Sequence, residues 1–127
     1  MGYSRENGKH IGLGLIAGEA FKFPDAQAHD VYKVPQIAWN NLHSNSALAS
    51  GWNDPLLNGV PEGAPVYFVH SYCVQTDDPQ DTLAYSVYGG TRYSAMVRRA
   101  NVWGAQFHPE RSAKHGLKML ANFAQLT

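Results

Sequence analysis

Gly89-Gly90 is the feature that most limits what this chain can fold into. It separates residues 83–88 from residues 91–97, two runs rich in valine, tyrosine and other strand formers. A two-residue loop between strands needs positive φ at its central positions, and glycine supplies that at no steric cost. The spacing therefore predicts an antiparallel hairpin. Residues 98–101 make a second turn, and the apolar run beyond it makes residues 83–107 a three-stranded meander.

The third strand of that meander ends in chemistry. Asn101-Val102-Trp103-Gly104-Ala105-Gln106-Phe107-His108-Pro109-Glu110 runs apolar and then delivers a histidine and a carboxylate. Pro109 pushes His108 out of the helical region. In an extended chain residues i and i+2 project to the same side. Glu110 can then hold the His108 imidazole in one tautomer and raise its basicity. This is a base with its orienter, and the nucleophile such a pair serves has to come from elsewhere.

The rest of the chain is strand-rich. Residues 1–10 are polar and turn-rich, and residues 12–23 are extended, with Leu13, Leu15, Phe21 and Phe23 alternating with glycine and charge. Residues 26–30 form a short loop after Pro24-Asp25. Residues 31–42 are extended again, apolar at Val34, Ile37, Trp39 and Leu42, with Pro35 marking an edge or a strand start. Residues 43–53 are rich in serine, asparagine and glycine, the composition of an exposed loop. Asp54 before Pro55-Leu56-Leu57 predicts a single capped helical turn.

Residues 65–75 are the other strong strand. Val66, Phe68, His70, Tyr72 and Val74 share one face, and Tyr67, Val69, Ser71 and Cys73 the other, which predicts a central strand buried on both sides. Residues 76–81 are an acidic loop. Ser112 is the expected N-cap of one long helix over residues 113–126. Lys118, Asn122 and Gln125 fall on one narrow arc of it, while Leu117, Met119, Leu120, Phe123 and Leu126 cover most of the rest. The fold class is therefore α+β: a mixed or antiparallel sheet of about five to seven strands with one long C-terminal helix, in a single domain.

Composition excludes more than it assigns. Ten basic and ten acidic residues balance, so charge makes no case for nucleic acid or an anionic membrane. No apolar run approaches the ~18 residues needed to span a bilayer. The first residues lack the apolar core of a signal sequence. A single cysteine excludes an internal disulfide and fits a reducing cytoplasm.

Gln106-Phe107-His108-Pro109-Glu110 resembles the histidine–glutamate signature of class I glutamine amidotransferases. Gly12-Leu13-Gly14-Leu15-Ile16, Val34-Pro35-Gln36-Ile37-Ala38-Trp39-Asn40, Pro55-Leu56-Leu57 and Val66-Tyr67-Phe68-Val69-His70-Ser71-Tyr72 are similar, in order, to one branch, the glutaminase subunits of imidazole glycerol phosphate synthase in histidine biosynthesis. The resemblance implies hydrolysis of glutamine to glutamate and ammonia, with His108 as acid–base and Glu110 as its orienter. It implies that main chain at Ser71 and Tyr72 lines the glutamine pocket. It also implies that Pro35, Ile37, Trp39, Asn40, Tyr67 and Arg111 face a cyclase partner, a (β/α)8 barrel that receives ammonia through a channel. No cofactor is implied. At Ala38 this chain departs from the glycine usual in the family.

In the family the nucleophile sits in a Gly-x-Cys-x-Gly-Met-Gln elbow upstream of the stretch matched here. The 127 residues are therefore expected to be a truncated portion of the class I amidotransferase α/β sandwich, with Met1 an internal position turned into a start. Part of the oxyanion hole is expected to be missing with the elbow. Cys73 is the one thiol available to His108, but its sequence context has no elbow and no helix N-terminus to lower its pKa, so an inert buried cysteine is the expectation. His70, His108 and Glu110 are metal-ligand types, yet no H-x-x-x-H or cysteine pair supports a metal site. From residues alone, His70 is an ordinary buried histidine satisfied by a neighbour, and Ile37 and Trp39 fit a core as well as an interface. Two functional readings stay open: a fragment active in glutamine hydrolysis when complemented by a chain carrying the elbow and by the cyclase, or an inactive remnant that self-associates as a dimer or larger through its apolar helix face.

Overall fold

The computed structural model describes residues 1–24, 32–46 and 52–126. Its early strands are β1 (Tyr3–Ser4), β2 (His10–Ile11), β3 (Gly18–Lys22), β4 (Gln36–Asn41) and β5 (His43–Ser44). They are followed by β6 (Pro65–His70), β7 (Tyr72–Thr76), β8 (Thr82–Tyr88), β9 (Thr91–Arg99) and β10 (Val102–Ala105), and the chain closes on α1 (Ala113–Ala124). The α+β class holds, but the strands divide among three sheets, ordered β2-β1-β3-β7, β10-β9-β8-β5 and β4-β6. β1 and β3 pair parallel, and the other pairs are antiparallel.

The hairpin forms as its turn dictates. Gly89 and Gly90 take φ of 56° and 76°, and β8 and β9 pair from Tyr88↔Thr91 back to Thr82↔Val97. A second two-residue turn, with Ala100 at φ 53°, returns the chain so that Val102 faces Arg99. The meander is complete. The turn over Pro55–Leu57 is present as well, as one turn of 3-10 helix whose N-cap Asp54 accepts from the Leu56 amide at 2.9 Å.

Residues 65–75 do not make one strand. The chain breaks at Ser71, where the His70 Nδ1 donates to the Tyr72 carbonyl at 2.8 Å and the Ser71 carbonyl accepts from the Phe23 amide at 3.0 Å. β6 then pairs with β4, while β7 pairs with β3 in a different sheet. The break slips the alternation by one residue, so Cys73 joins Val66, Phe68 and His70 on the buried side. Val69, expected to be buried, is 39% exposed because nothing among the described residues covers the outer face of β4 and β6.

Other expectations shift for similarly local reasons. The extended stretch over residues 12–23 resolves into a loop followed by β3. Residues 43–46 of the expected exposed loop include β5, paired to β8, and the buried Asn45, whose amide nitrogen donates to the Pro79 and Thr82 carbonyls. The loop expected over residues 26–30 lies outside the described residues, as do residues 47–51.

In α1 the buried residues are Gly116, Met119 and Asn122. Asn122, expected on a polar arc, is buried because its amide nitrogen donates to the Leu56 and Asn58 carbonyls at 2.9 and 2.8 Å. Leu117, Leu120, Phe123 and Leu126, expected in a core, are exposed. The core itself is built from Phe23, Leu42, Leu57, Val66, Phe68, Tyr93, Met96, Phe107 and Met119, with Cys73 among them. It lies beneath the segment that carries His108.

Candidate active site

His108 stands on the connection between β10 and α1, and that connection is held down one residue earlier. The Gln106 amide donates to the Ala95 carbonyl at 2.9 Å, prolonging the ladder just past the end of β10. Phe107 is then buried, its ring nearly perpendicular to that of Phe68 at 5.9 Å between centroids. His108 takes φ −98° and ψ 99°, the extended conformation that a following proline demands. Pro109–Arg111 forms a turn of 3-10 helix. The strand ends at Ala105, so it is this turn, rather than strand alternation, that brings the carboxylate round to the imidazole.

His108 Nδ1 lies 3.0 Å from Glu110 Oε1. The Glu110 carboxyl is held below the usual carboxylate range by its own backbone amide first, then by the bond to His108 and the charges of His108 and Arg111. An ionised carboxylate can only accept, so Nδ1 carries the proton of the neutral ring and Nε2 keeps the free lone pair. The arrangement can accept a proton at Nε2 while Glu110 stabilises the imidazolium that results.

Both peptide groups of His108 are tied down. Its N–H donates to the Tyr67 carbonyl at 3.0 Å. Its carbonyl accepts from the Arg111 amide at 3.0 Å and from the Ser112 hydroxyl at 2.6 Å. The same hydroxyl accepts from the Tyr67 amide at 3.0 Å. Ser112 stands at the N-cap position of α1, but its side chain caps nothing there, because the hydroxyl is committed to β6 and His108.

Behind β6 lies a polar network that the sequence reading did not contain. Gln36 is fully buried and its amide nitrogen donates to His70 Nε2 at 2.7 Å and to the Tyr93 hydroxyl at 2.9 Å. Its carbonyl oxygen accepts from the Asn40 amide nitrogen at 3.0 Å, which also donates to the Val87 carbonyl. His70 thus accepts at Nε2 and donates at Nδ1 to Tyr72, which is the neutral ring. Burial, above all, lowers its pKa; the bond to the Tyr72 carbonyl opposes this, and the charge of His108 adds to the lowering. The signal for Gln36 was available: it occupies the same alternating set as Ala38 and Asn40, opposite Ile37 and Trp39.

Of the residues singled out in the sequence, Tyr67 is joined to His108 directly. Ser71 and Tyr72 are half-buried at the break between β6 and β7, linked to the site through His70. Ile37 faces Val69 and Trp39 faces Tyr67 across the β4–β6 pair, with the Trp39 and Tyr67 rings 5.8 Å apart. Ile37 is 60% and Trp39 52% exposed. Pro35 and Arg111 are exposed, and Asn40 turns its amide inward to Gln36.

Cys73 is fully buried opposite Phe21, and burial pushes its thiol up to about 12. It is a thiol, not a thiolate, at neutral pH. No group of three or more histidine, cysteine, aspartate or glutamate residues able to hold a metal ion occurs among the described residues.

The family described as Glutamine amidotransferase class-I matches residues 17–126. The imidazole glycerol phosphate synthase subunit HisH 1 of Legionella pneumophila (strain Lens) is 41% identical over 127 residues, covering 97% of this chain and 58% of the relative. The subunit HisH of Desulfitobacterium hafniense (strain DSM 10664 / DCB-2) is 42% identical over 120 residues, covering 94% of this chain and 51% of the relative. That of Geobacillus sp. (strain WCH70) is 44% identical over 124 residues, covering 97% and 55%. The chain thus spans a little over half the length of the curated relatives it matches. A family match across the meander, the His108–Glu110 pair and the whole of α1 leaves one conclusion: this chain belongs to the class I glutamine amidotransferases.

Proposed function

We propose that these residues carry the histidine–glutamate part of a glutamine-hydrolysing site whose ammonia serves an imidazole glycerol phosphate synthase. The observation that carries this reading is the His108 Nδ1–Glu110 Oε1 pair, which leaves Nε2 free to take a proton from an attacking thiol. Main chain at Ser71 and Tyr72 lines the glutamine pocket in this reading. The thiol is not Cys73, which is buried and protonated. It belongs to a segment outside these 127 residues, so the chain by itself is inactive. Removing the nucleophile from a concerted site forfeits most of its acceleration.

The partner in this reading is a (β/α)8 cyclase subunit seated on Pro35, Ile37, Trp39, Tyr67 and Arg111. Exposed aromatic and aliphatic side chains in register on a two-stranded face have the composition of an interface core, and Arg111 is an exposed residue of a type favoured there. Asn40 supports that face from behind rather than forming it. A second reading rests on α1, whose exposed Leu117, Leu120, Phe123 and Leu126 form an apolar stripe. In this reading two copies of the chain bury this stripe against each other, giving a dimer or larger assembly.

The test is glutamate release from glutamine by the chain alone and by the chain mixed with a cyclase subunit and a segment bearing the cysteine elbow. Release only in the mixture supports the proposal. Release by the chain alone would show that its own residues include a working nucleophile.

A further inference from the structure

The Ser112 hydroxyl has only one arrangement that satisfies its neighbours. It is fully buried, 2.6 Å from the His108 carbonyl and 3.0 Å from the Tyr67 amide. The carbonyl can only accept and the amide can only donate, so the hydroxyl gives its proton to His108 and takes the one from Tyr67. Tyr67 and His108 already meet directly through the His108 amide and the Tyr67 carbonyl at 3.0 Å. Ser112 closes the second half of what would otherwise be an open bridge between two backbone segments. The result resembles a residue pair in a β-ladder in which one of the two bonds passes through a side chain.

We propose that Ser112 is a positioning residue of this site: its buried hydroxyl locks the His108 backbone to Tyr67 and so fixes where the His108 imidazole points.

Two further observations bear on this. The residue after Ser112, Ala113, takes φ 51°, a left-handed conformation that is strained for an alanine. Such a conformation persists only where the surroundings over-determine it, and Ser112, one residue earlier, is fixed by two hydrogen bonds of its hydroxyl. Gly116 sits one turn into α1 directly over the Pro109 carbonyl. The turn bearing His108 and Glu110 is therefore clamped between β6 on one side and α1 on the other, with Ser112 bonded to both ends of the clamp. Acid–base catalysis tolerates small errors of placement only, since a displacement of about 1 Å can cost about a hundredfold. A hydroxyl that bridges the His108 carbonyl and the Tyr67 amide acts on placement without touching substrate.

The proposal rests on the reading of His108 as the acid–base group, and its test separates the two. The tautomer of His108 in the 127-residue chain is read from imaging the imidazole nitrogens by two-bond 15N–1H correlation, in the wild type, Ser112→Ala and Ser112→Thr. Ser86→Ala is the control, because the Ser86 hydroxyl is also buried and also donates to a carbonyl, that of Asn41 at 2.8 Å. Ser112→Ala is expected to lose the bias toward the Nδ1-protonated ring, Ser112→Thr to keep it, and Ser86→Ala to keep it. If Ser112→Ala does not fold, Ser112→Cys takes its place, with a partial loss of the bias expected from its weaker donor. An unchanged tautomer in Ser112→Ala or Ser112→Cys, or an equal change in Ser86→Ala, overturns the proposal. Should the tautomer respond as expected while no mixture hydrolyses glutamine, Ser112 keeps its role and the proposed function falls.

Discussion

The Gln36 amide nitrogen and His70 Nε2 meet at 2.7 Å inside the molecule, and that contact fixes the protonation of the ring. An amide nitrogen can only donate, so Nε2 must hold a lone pair, while Nδ1 donates to the Tyr72 carbonyl. A protonated His70 would set two donors against each other in a buried place. Burial and the Gln36 contact act in the same direction, and the bond to the Tyr72 carbonyl opposes them.

A pH dependence of stability follows. The folded His70 has a lowered pKa, whereas in the unfolded chain it titrates near the ordinary value of about 6.5. Below that pH the unfolded chain binds a proton that the folded chain refuses, so the stability present above about pH 6.5 is lost as the pH falls. Urea midpoints at pH 7.5 and 5.5 should therefore differ more in the wild type than in His70→Asn. Equal differences in the two proteins would contradict the neutral assignment.

Cys73 should be inert in the native state. With its thiol pushed up to about 12 and no exposed surface, its thiolate population near pH 8 falls at least about a thousandfold below that of a free cysteine. A disulfide reagent should label it in urea and leave it untouched in buffer over the same time. Rapid native labelling would revive Cys73 as a nucleophile for His108.

Two substitutions near the start of α1 should act with opposite sign. A Cβ on Gly116 would overlap the Pro109 carbonyl oxygen and come within 2.7 Å of Ser112 Cβ. Gly116→Ala gains up to about 1 kcal/mol of helix propensity, but it drives α1 away from the turn that carries His108, and a net loss of about 1–3 kcal/mol is expected. Ala113→Gly relieves a φ of 51° and should raise stability by up to about 1 kcal/mol. Chemical denaturation of the two variants gives both signs directly.

The exposed stripe of α1 should govern assembly. Leu120 is 44% and Phe123 56% exposed, and the Phe123 ring packs edge-on to Trp103 at 6.5 Å. The double substitution Leu120→Lys, Phe123→Lys should shift the sedimenting species toward monomer at micromolar concentration. A wild type that is already monomeric at such concentrations would remove the self-association reading.

What the sequence made legible was local. Gly89-Gly90 and Asp54-Pro55 carry their geometry in neighbouring residues and formed as expected, whereas His108 and Glu110 meet through a 3-10 turn and not through the strand alternation expected of them. The expectations that failed depended on partners distant in the chain. Nothing in residues 65–75 announces that the chain will change sheets at Ser71, because the Ser71 carbonyl is taken by the distant Phe23 amide and β7 pairs with β3. Ser112 looked like a cap because serine before a helix usually is one, and β6 claimed its hydroxyl instead. Asn122 looked solvent-facing until the Leu56 and Asn58 carbonyls needed a donor. The apolar arc of α1 was visible, but what would cover it was not.

In the proposed function His108, oriented by Glu110, is the acid–base group of a glutamine-hydrolysing site. The measurement that tests it most directly is glutamate release by the chain reconstituted with a cysteine-bearing segment and a cyclase subunit, comparing wild type, His108→Ala and Glu110→Gln. A loss of about a hundredfold to ten-thousandfold in kcat is expected for His108→Ala and a smaller loss for Glu110→Gln, with binding of the partners intact. Equal rates in the wild type and His108→Ala would contradict it.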